Sequence, residues 1–218
     1  MSAREITRKN ILDTDIYCLT ALKFSKGRSN IEVVREMLDN GIKLIQYREK
    51  EIKSGQKYRE CMEIRKMTRD AGAAFIVNDD IDLAMMVEAD GIHIGQDDFP
   101  VHAVRKLVGD KMAIGLSTHA PEEARAAVVA GVDYIGVGPI FRTFTKDDVV
   151  DPVGFEYLDW VVKNIDIPFV AIGGIKEHNI AEVMSRGAKC VALVTEIVGA
   201  EDIGGMIREL RAAMGSAK

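Results

Sequence analysis

The chain has 218 residues, 47% hydrophobic and 29% charged, with a formal net charge of −5. That length and apolar content suit one domain of α/β-barrel size with a sizeable core, so residues 1–218 are read as a single domain. The acidic balance argues against a nucleic-acid surface, although it leaves room for a local basic pocket. No apolar run approaches the length that spans a bilayer.

The opening stretch MSAREITRKNIL lacks the apolar centre of a signal peptide and predicts a short N-terminal helix. After it, β-rich runs alternate with helical patterns. Strands are expected at 16–20, 42–48, 74–78, 91–95, 112–117, 134–138, 169–174 and 190–195. Between them, segments such as NIEVVREMLDN, PEEARAAVVA and IAEVMSRGA carry apolar residues at three-and-four spacing. Several end in a glycine suited to a helix C-terminus: Gly41, Gly72, Gly131 and Gly187. Strict alternation of strand and helix predicts a parallel sheet. Eight such units in this length predict an α/β fold of the (β/α)8 TIM-barrel type rather than an open sheet. No G-x-G-x-x-G follows the first strand, which weakens a dinucleotide-binding alternative. Cys18, Cys61 and Cys190 stand far apart without zinc spacing, as expected of a reduced, cytoplasmic protein.

Active sites of such barrels gather at the C-terminal ends of the strands. The second strand ends in LIQYREK, residues 44–50. Strand parity places Ile42, Leu44, Gln46, Arg48 and Lys50 on one face and turns Tyr47 outward. Burying unpaired charge is costly, so that face either reaches solvent or meets an anion. The third strand ends in Asn78 and Asp79, and the fourth leads into GQDDFP with Asp97 and Asp98. Each acidic pair alone reads as a helix cap, with Pro100 fitting a first turn. Beside an Arg and a Lys the two pairs suit magnesium, which takes one or two carboxylates plus phosphate oxygens. The cations then complete the neutralisation of the phosphates.

The fifth strand ends in Ser117 and His119. The sixth precedes a long loop, GPIFRTFTKDDVVDPVG, in which Thr143, Thr145 and Lys146 offer hydroxyls and a cation. The seventh ends in Gly173–Gly174 and the eighth in Val194–Thr195, positions where barrels bind phosphate through backbone N–H groups. Two anion sites are therefore expected in one mouth. His93, between Ile92 and Ile94, is expected to make a satisfied hydrogen bond in the barrel wall, and His102 and His178 to lie on the surface.

The motifs QYREK, VNDD, GIHIGQDDFP, GLSTH, GPIFRTFTK, AIGGI and VALVTEI, in this order, resemble the thiamine-phosphate synthase family across nearly the whole chain. The resemblance implies a transferase that joins a hydroxymethylpyrimidine diphosphate to a thiazole phosphate and releases diphosphate. It implies that Gln46, Arg48, Lys50, Asn78, Ser117 and Lys146 hold the pyrimidine diphosphate, with Arg48, Lys50, Ser117 and Lys146 closest to the chemistry. Asp79 and Asp98 would bind Mg2+, with Asp97 a neighbour or cap. Thr143, Phe144, Thr145, Gly174 and the backbone of Val194 and Thr195 would hold the thiazole phosphate. Ala21, Arg142, Phe144 and Thr195 depart from the family's usual residues, and a backbone role for Thr195 survives its change. The partners implied are the two small-molecule substrates; no sequence feature reports oligomeric state, and a homo-oligomer stays open. Two alternatives also stay open: a thiazole tautomerase, for which His119 would be the base, and a non-catalytic thiazole-phosphate binder. A phosphosugar isomerase or aldolase shares the fold, which does not fix function.

Overall fold

The computed structural model describes residues 3–145 and 151–215. Its elements begin α1 (Ala3–Asp13), β1 (Ile16–Leu19), α2 (Asn30–Asp39), β2 (Leu44–Tyr47), α3 (Ser54–Asp70), β3 (Ala74–Asn78), α4 (Ile81–Met86), β4 (Gly91–Ile94) and α5 (Val101–Val108). They continue β5 (Ala113–Thr118), α6 (Pro121–Ala130), β6 (Tyr134–Val137), α7 (Gly154–Asn164), β7 (Phe169–Ile172), α8 (Glu177–Ser185), β8 (Val191–Leu193), α9 (Thr195–Val198) and α10 (Ile203–Gly215). The strands pair in sequence order and β8 closes on β1, with Ile16 opposite Val191, giving a parallel barrel of eight strands. This is the expected (β/α)8 architecture. Among the described residues no helix is long and apolar enough to cross a membrane.

Strand alternation sorts the apolar residues into two clusters. The outer one lies between strands and helices and includes Cys18, Ile45, Tyr47 and Val77. The inner one fills the barrel with Tyr17, Leu19, Leu44, Ala74, Ile76, Tyr134 and Val170. Tyr47 points outward as parity predicts, and its hydroxyl donates to Glu60 on α3 at 2.9 Å.

The second strand is shorter than the predicted 42–48. Gly41 takes a left-handed φ of 78°. Its N–H donates to Leu38 O at 3.0 Å and that of Ile42 to Met37 O at 3.1 Å. This pairing is the Schellman ending of α2. Ile42 is thus still completing the helix terminus and packs in the outer cluster, not on the face of Leu44 and Gln46.

The N-terminal end of the barrel is sealed by paired charges and by α1. Asp90, just before β4, accepts from Phe75 N at 2.8 Å and from both terminal nitrogens of Arg65. Asp133, just before β6, accepts from Ile114 N at 2.9 Å, Arg105 at 2.7 Å and Arg4 at 2.6 Å. Ile11 of α1 joins the inner cluster as a plug. With this end closed, the opposite end alone is left for a ligand.

Inside, the Tyr17 and Tyr134 rings meet edge to face with centroids 6.3 Å apart. Gly115 on β5 makes this possible, because a Cβ there would lie far inside van der Waals contact with Tyr134 Cζ. The expected effect of Gly115→Ala is therefore overpacking, a loss of about 1–3 kcal/mol in urea unfolding. Unchanged stability would mean that the ring moves freely.

Candidate active site

A cavity of about 370 Å³ opens at the C-terminal ends of the strands. Gln46, Arg48, Asn78 and Ser117 line one side of it; Thr143, Thr145, Gly174, Val194 and Thr195 line the other. Tyr17, His93 and Tyr134 also line it, lying deeper among the inward-facing strand residues.

The β2 side is held by hydrogen bonds to the segment after β1. Thr20 N donates to Gln46 O at 2.9 Å, and Arg48 N donates to Thr20 Oγ1 at 2.9 Å. Glu49 accepts from Leu22 N at 3.0 Å. Burial raises the Glu49 carboxyl above its ordinary range, while its bonds to Leu22, Thr20 and Asn30 pull it back. Glu49 thus fixes the backbone next to Arg48, which lines the cavity. Sequence reading passed over it, since a Glu within QYREK reads as one more solvated charge.

Lys50 does not reach the main cavity. The strand stops at Tyr47, so strict alternation ends before Lys50, whose ammonium lies 3.6 Å from Asp79 Oδ2. Asp79, Asp97 and Asp98 line a second hollow of about 300 Å³, reached one residue on from Asn78. Neither Asp79 nor Asp98 caps the helix that follows. Asp80 is the N-cap residue of α4, Pro100 that of α5, and neither makes a side-chain cap bond. Asp98 Oδ2 instead accepts from Gly95 N at 2.6 Å, closing the GQDD turn.

Asp79 sits at a left-handed φ of 59°, uncommon for a residue with a side chain. Its carboxyl is pushed above the ordinary aspartate value, first by burial and then by the charge of Asp98, with Lys50 and Arg48 opposing. The Asp98 charge beside the Asp79 carboxyl makes this a place where a cation relieves repulsion. Among the described residues no cluster of three or more His, Cys, Asp or Glu could hold a metal. Two oxygen-bearing carboxylates are the donor type that hard divalent ions take when water and phosphate oxygens complete the shell.

On the β4–β6 side the polar groups are joined. His93 Nε2 lies 2.9 Å from Ser117 Oγ and its Nδ1 3.0 Å from Tyr134 Oη. Tyr134 Oη is 3.1 Å from Tyr17 Oη, which accepts from Gln46 Nε2 at 2.7 Å. His93 is satisfied in the wall as its spacing predicts. Burial pushes both phenols well up, so both stay protonated. Sequence reading missed the tyrosines, although the parity of Tyr17 with Leu19 already pointed it inward. His119 binds Glu123 Oε2 through its N–H at 2.8 Å and its Nδ1 at 3.1 Å, fastening the entrance of α6. His102 and His178 are exposed.

The β6–β8 side is assembled by close backbone approach. Ile140 N donates to Ile172 O and Phe141 N to Gly173 O, each at 2.9 Å, laying the loop after β6 against the end of β7. A Cβ on Gly174 would meet Arg142 O at 2.6 Å and Phe141 Cβ at 2.8 Å, and its φ is 63°. Only glycine lets the two segments touch. Thr143 and Thr145 then share the rim, their hydroxyls 3.2 Å apart. Phe144 is 79% exposed, with the Arg142 guanidinium 5.3 Å from its ring centre. Lys176 and Glu196 pair at 3.1 Å beside them, an ion pair that no local pattern announced. Lys146 lies outside the described residues.

Comparison with known proteins shows the family and the fold. The family described as thiamine monophosphate synthase matches residues 16–197. The thiamine-phosphate synthase of Pelotomaculum thermopropionicum is 70% identical over 202 residues, 93% of each chain. That of Lawsonia intracellularis is 55% identical over 203 residues, covering 93% of this chain and 94% of the relative. Among solved structures, the thiamine phosphate pyrophosphorylase from Pyrococcus furiosus superposes with a TM-score of 0.86 at 33% identity, covering 96% of this chain and 98% of that one.

The raised Asp79 carboxyl sets a stability prediction with a definite sign. A carboxyl whose folded pKa exceeds its unfolded value favours folding most when protonated, and this contribution is lost as pH rises through the folded pKa. In EDTA at pH 7, Asp79→Asn is expected to melt higher than the parent, and Asn tolerates the left-handed backbone. The difference should shrink toward pH 4. A lower melting temperature at pH 7 would show that the Lys50 contact outweighs the repulsion.

Proposed function

The chain belongs to the thiamine monophosphate synthase family, and from that membership we propose how the two sides of its mouth share the reaction. The enzyme is a transferase that condenses 4-amino-2-methyl-5-hydroxymethylpyrimidine diphosphate with thiazole phosphate, giving thiamine phosphate and diphosphate. The pyrimidine diphosphate occupies the β2–β5 side, held by Gln46, Arg48, Asn78 and Ser117, with Lys50 approaching from the carboxylate hollow. Lys146 is assigned to the same substrate from its place in the FRTFTK motif. The thiazole phosphate occupies the β6–β8 side, against Thr143, Phe144, Thr145, Gly174 and the backbone of Val194 and Thr195. The observation that carries this reading is the meeting of two anion receptors in one cavity, beside a carboxylate pair. A single phosphate monoester has no use for both.

The bond that breaks joins the pyrimidine methylene to the ester oxygen of the α-phosphate, and the diphosphate leaves with the electron pair. The electron-rich aminopyrimidine stabilises the resulting cation, and the thiazole nitrogen lone pair captures it. No side-chain nucleophile is required. Arg48 and Lys50 stabilise the charge that builds on the departing diphosphate. Asp79 and Asp98 would hold magnesium, which when bound supplies further charge neutralisation to that leaving group. The cavity walls hold the two substrates in line, which makes capture effectively unimolecular. A tautomerase has no task for the Asp79–Asp98 pair. The three cysteines are buried and unpaired, which supports a reducing, cytoplasmic setting.

Incubation with both substrates, followed by mass detection of thiamine phosphate, tests the reading. Product is expected with magnesium and not with EDTA, and Asp98→Ala is expected to lower turnover by roughly 10²-fold or more. Equal turnover in EDTA would remove the metal assignment. Binding of both substrates without product would favour the non-catalytic binder.

A further inference from the structure

We propose that Gln46, Tyr17, Tyr134 and His93 form a one-way hydrogen-bond relay whose outlet is the Ser117 hydroxyl, presented to the mouth as a donor to diphosphate. Tyr134 and His93 are thereby positioning residues. The proposal rests on the reading of the β2–β5 side as the diphosphate half.

The direction follows from donor counting. The Gln46 side-chain nitrogen can only donate, so at 2.7 Å Tyr17 Oη accepts from it. Among the described residues the remaining partner of Tyr17 Oη is Tyr134 Oη at 3.1 Å, so the Tyr17 proton goes there. The Tyr134 proton is then left for His93 Nδ1 at 3.0 Å. An imidazole that accepts at Nδ1 carries its proton on Nε2, which donates to Ser117 Oγ at 2.9 Å. The Ser117 oxygen has accepted, and its own proton points to the cavity that it lines.

The reverse direction fails on burial. If Ser117 donated to His93, and His93 through Nδ1 to Tyr134, then Tyr134 would donate to Tyr17. Tyr17 Oη would accept twice and its own proton would have no acceptor. Tyr17 is 2% exposed and Tyr134 fully buried, so a phenol proton left without a protein acceptor there is costly. The relay crosses β2, β1, β6, β4 and β5 and joins residues up to 117 positions apart. It serves chemistry because a serine that donated inward would turn lone pairs toward an anion.

The test uses 15N spectra of the full chain at pH 8, where four histidines give few signals and His93→Gln assigns the one of interest. Wild type is expected to show His93 as the neutral Nε2–H tautomer. Tyr134→Phe removes the donor to Nδ1, so the tautomer is expected to shift toward Nδ1–H. Affinity for inorganic diphosphate with magnesium, by calorimetry, is expected to fall about tenfold. Tyr17→Phe keeps the Tyr134–His93 bond and should keep the tautomer, whereas general loosening of the core would disturb both variants alike. In a Ser117→Ala background the Tyr134→Phe effect on diphosphate affinity should vanish.

An Nδ1–H or charged His93 in wild type, a Tyr134→Phe protein with unchanged tautomer, or additive losses with Ser117→Ala would each overturn the relay. Failure of wild type itself to bind diphosphate would remove the site reading and the relay's outlet with it. That failure appears in the parent protein and is thus distinct from one confined to the variants.

Discussion

Closing eight short parallel strands into a ring sends every second side chain into a tube that side chains must fill. Everything in the mouth depends on that filling. One wall contributes small residues, Ala74, Gly91, Ala113, Gly115 and Gly136, while Tyr17 and Tyr134 supply the bulk that occupies the space those residues leave. Two phenols deep in an apolar tube must bond to something, and the nearest polar groups are each other, Gln46 and His93. Packing and polar satisfaction therefore select the same arrangement. The floor of the cavity is at once the core of the barrel.

The two ends of the barrel use charge in opposite ways. At the N-terminal end Asp90 and Asp133 are buried, and each is matched by arginine and by a strand N–H. Fully paired groups of this kind lock strand starts and have little left to offer a ligand. At the mouth the Asp79–Asp98 pair carries like charge on both members, and burial and that charge raise the Asp79 carboxyl. Paired charge is concentrated at the N-terminal end, and the cavity opens at the other, the end where barrels of this fold gather their active sites.

The loops after β6, β7 and β8 make their site by a different route. There the positioning is done by main chain, through Ile140 and Phe141 on the end of β7 and through the absence of a Cβ at Gly174. Backbone approach sets the shape of this side of the cavity, while Phe144 stands exposed at the rim with Arg142 beside its ring.

Much of this was legible in the chain itself. Strand and helix periods, the glycines that end α2 and α6, and the outward aim of Tyr47 are local properties, decided by residues a few positions apart, and they determined the fold class and the strand ends where chemistry would gather. The motifs then located the basic strand end and the acidic turns. What only the tertiary structure decided is anything that needed strand register or an exact strand end. Ile42 left the inward face because a helix terminus still held it, and Lys50 left the main cavity because β2 stopped at Tyr47. The meeting of Tyr17 with Tyr134, residues 117 apart in the chain, arises from barrel closure, and no periodicity along one strand can announce a partner that lies across the tube.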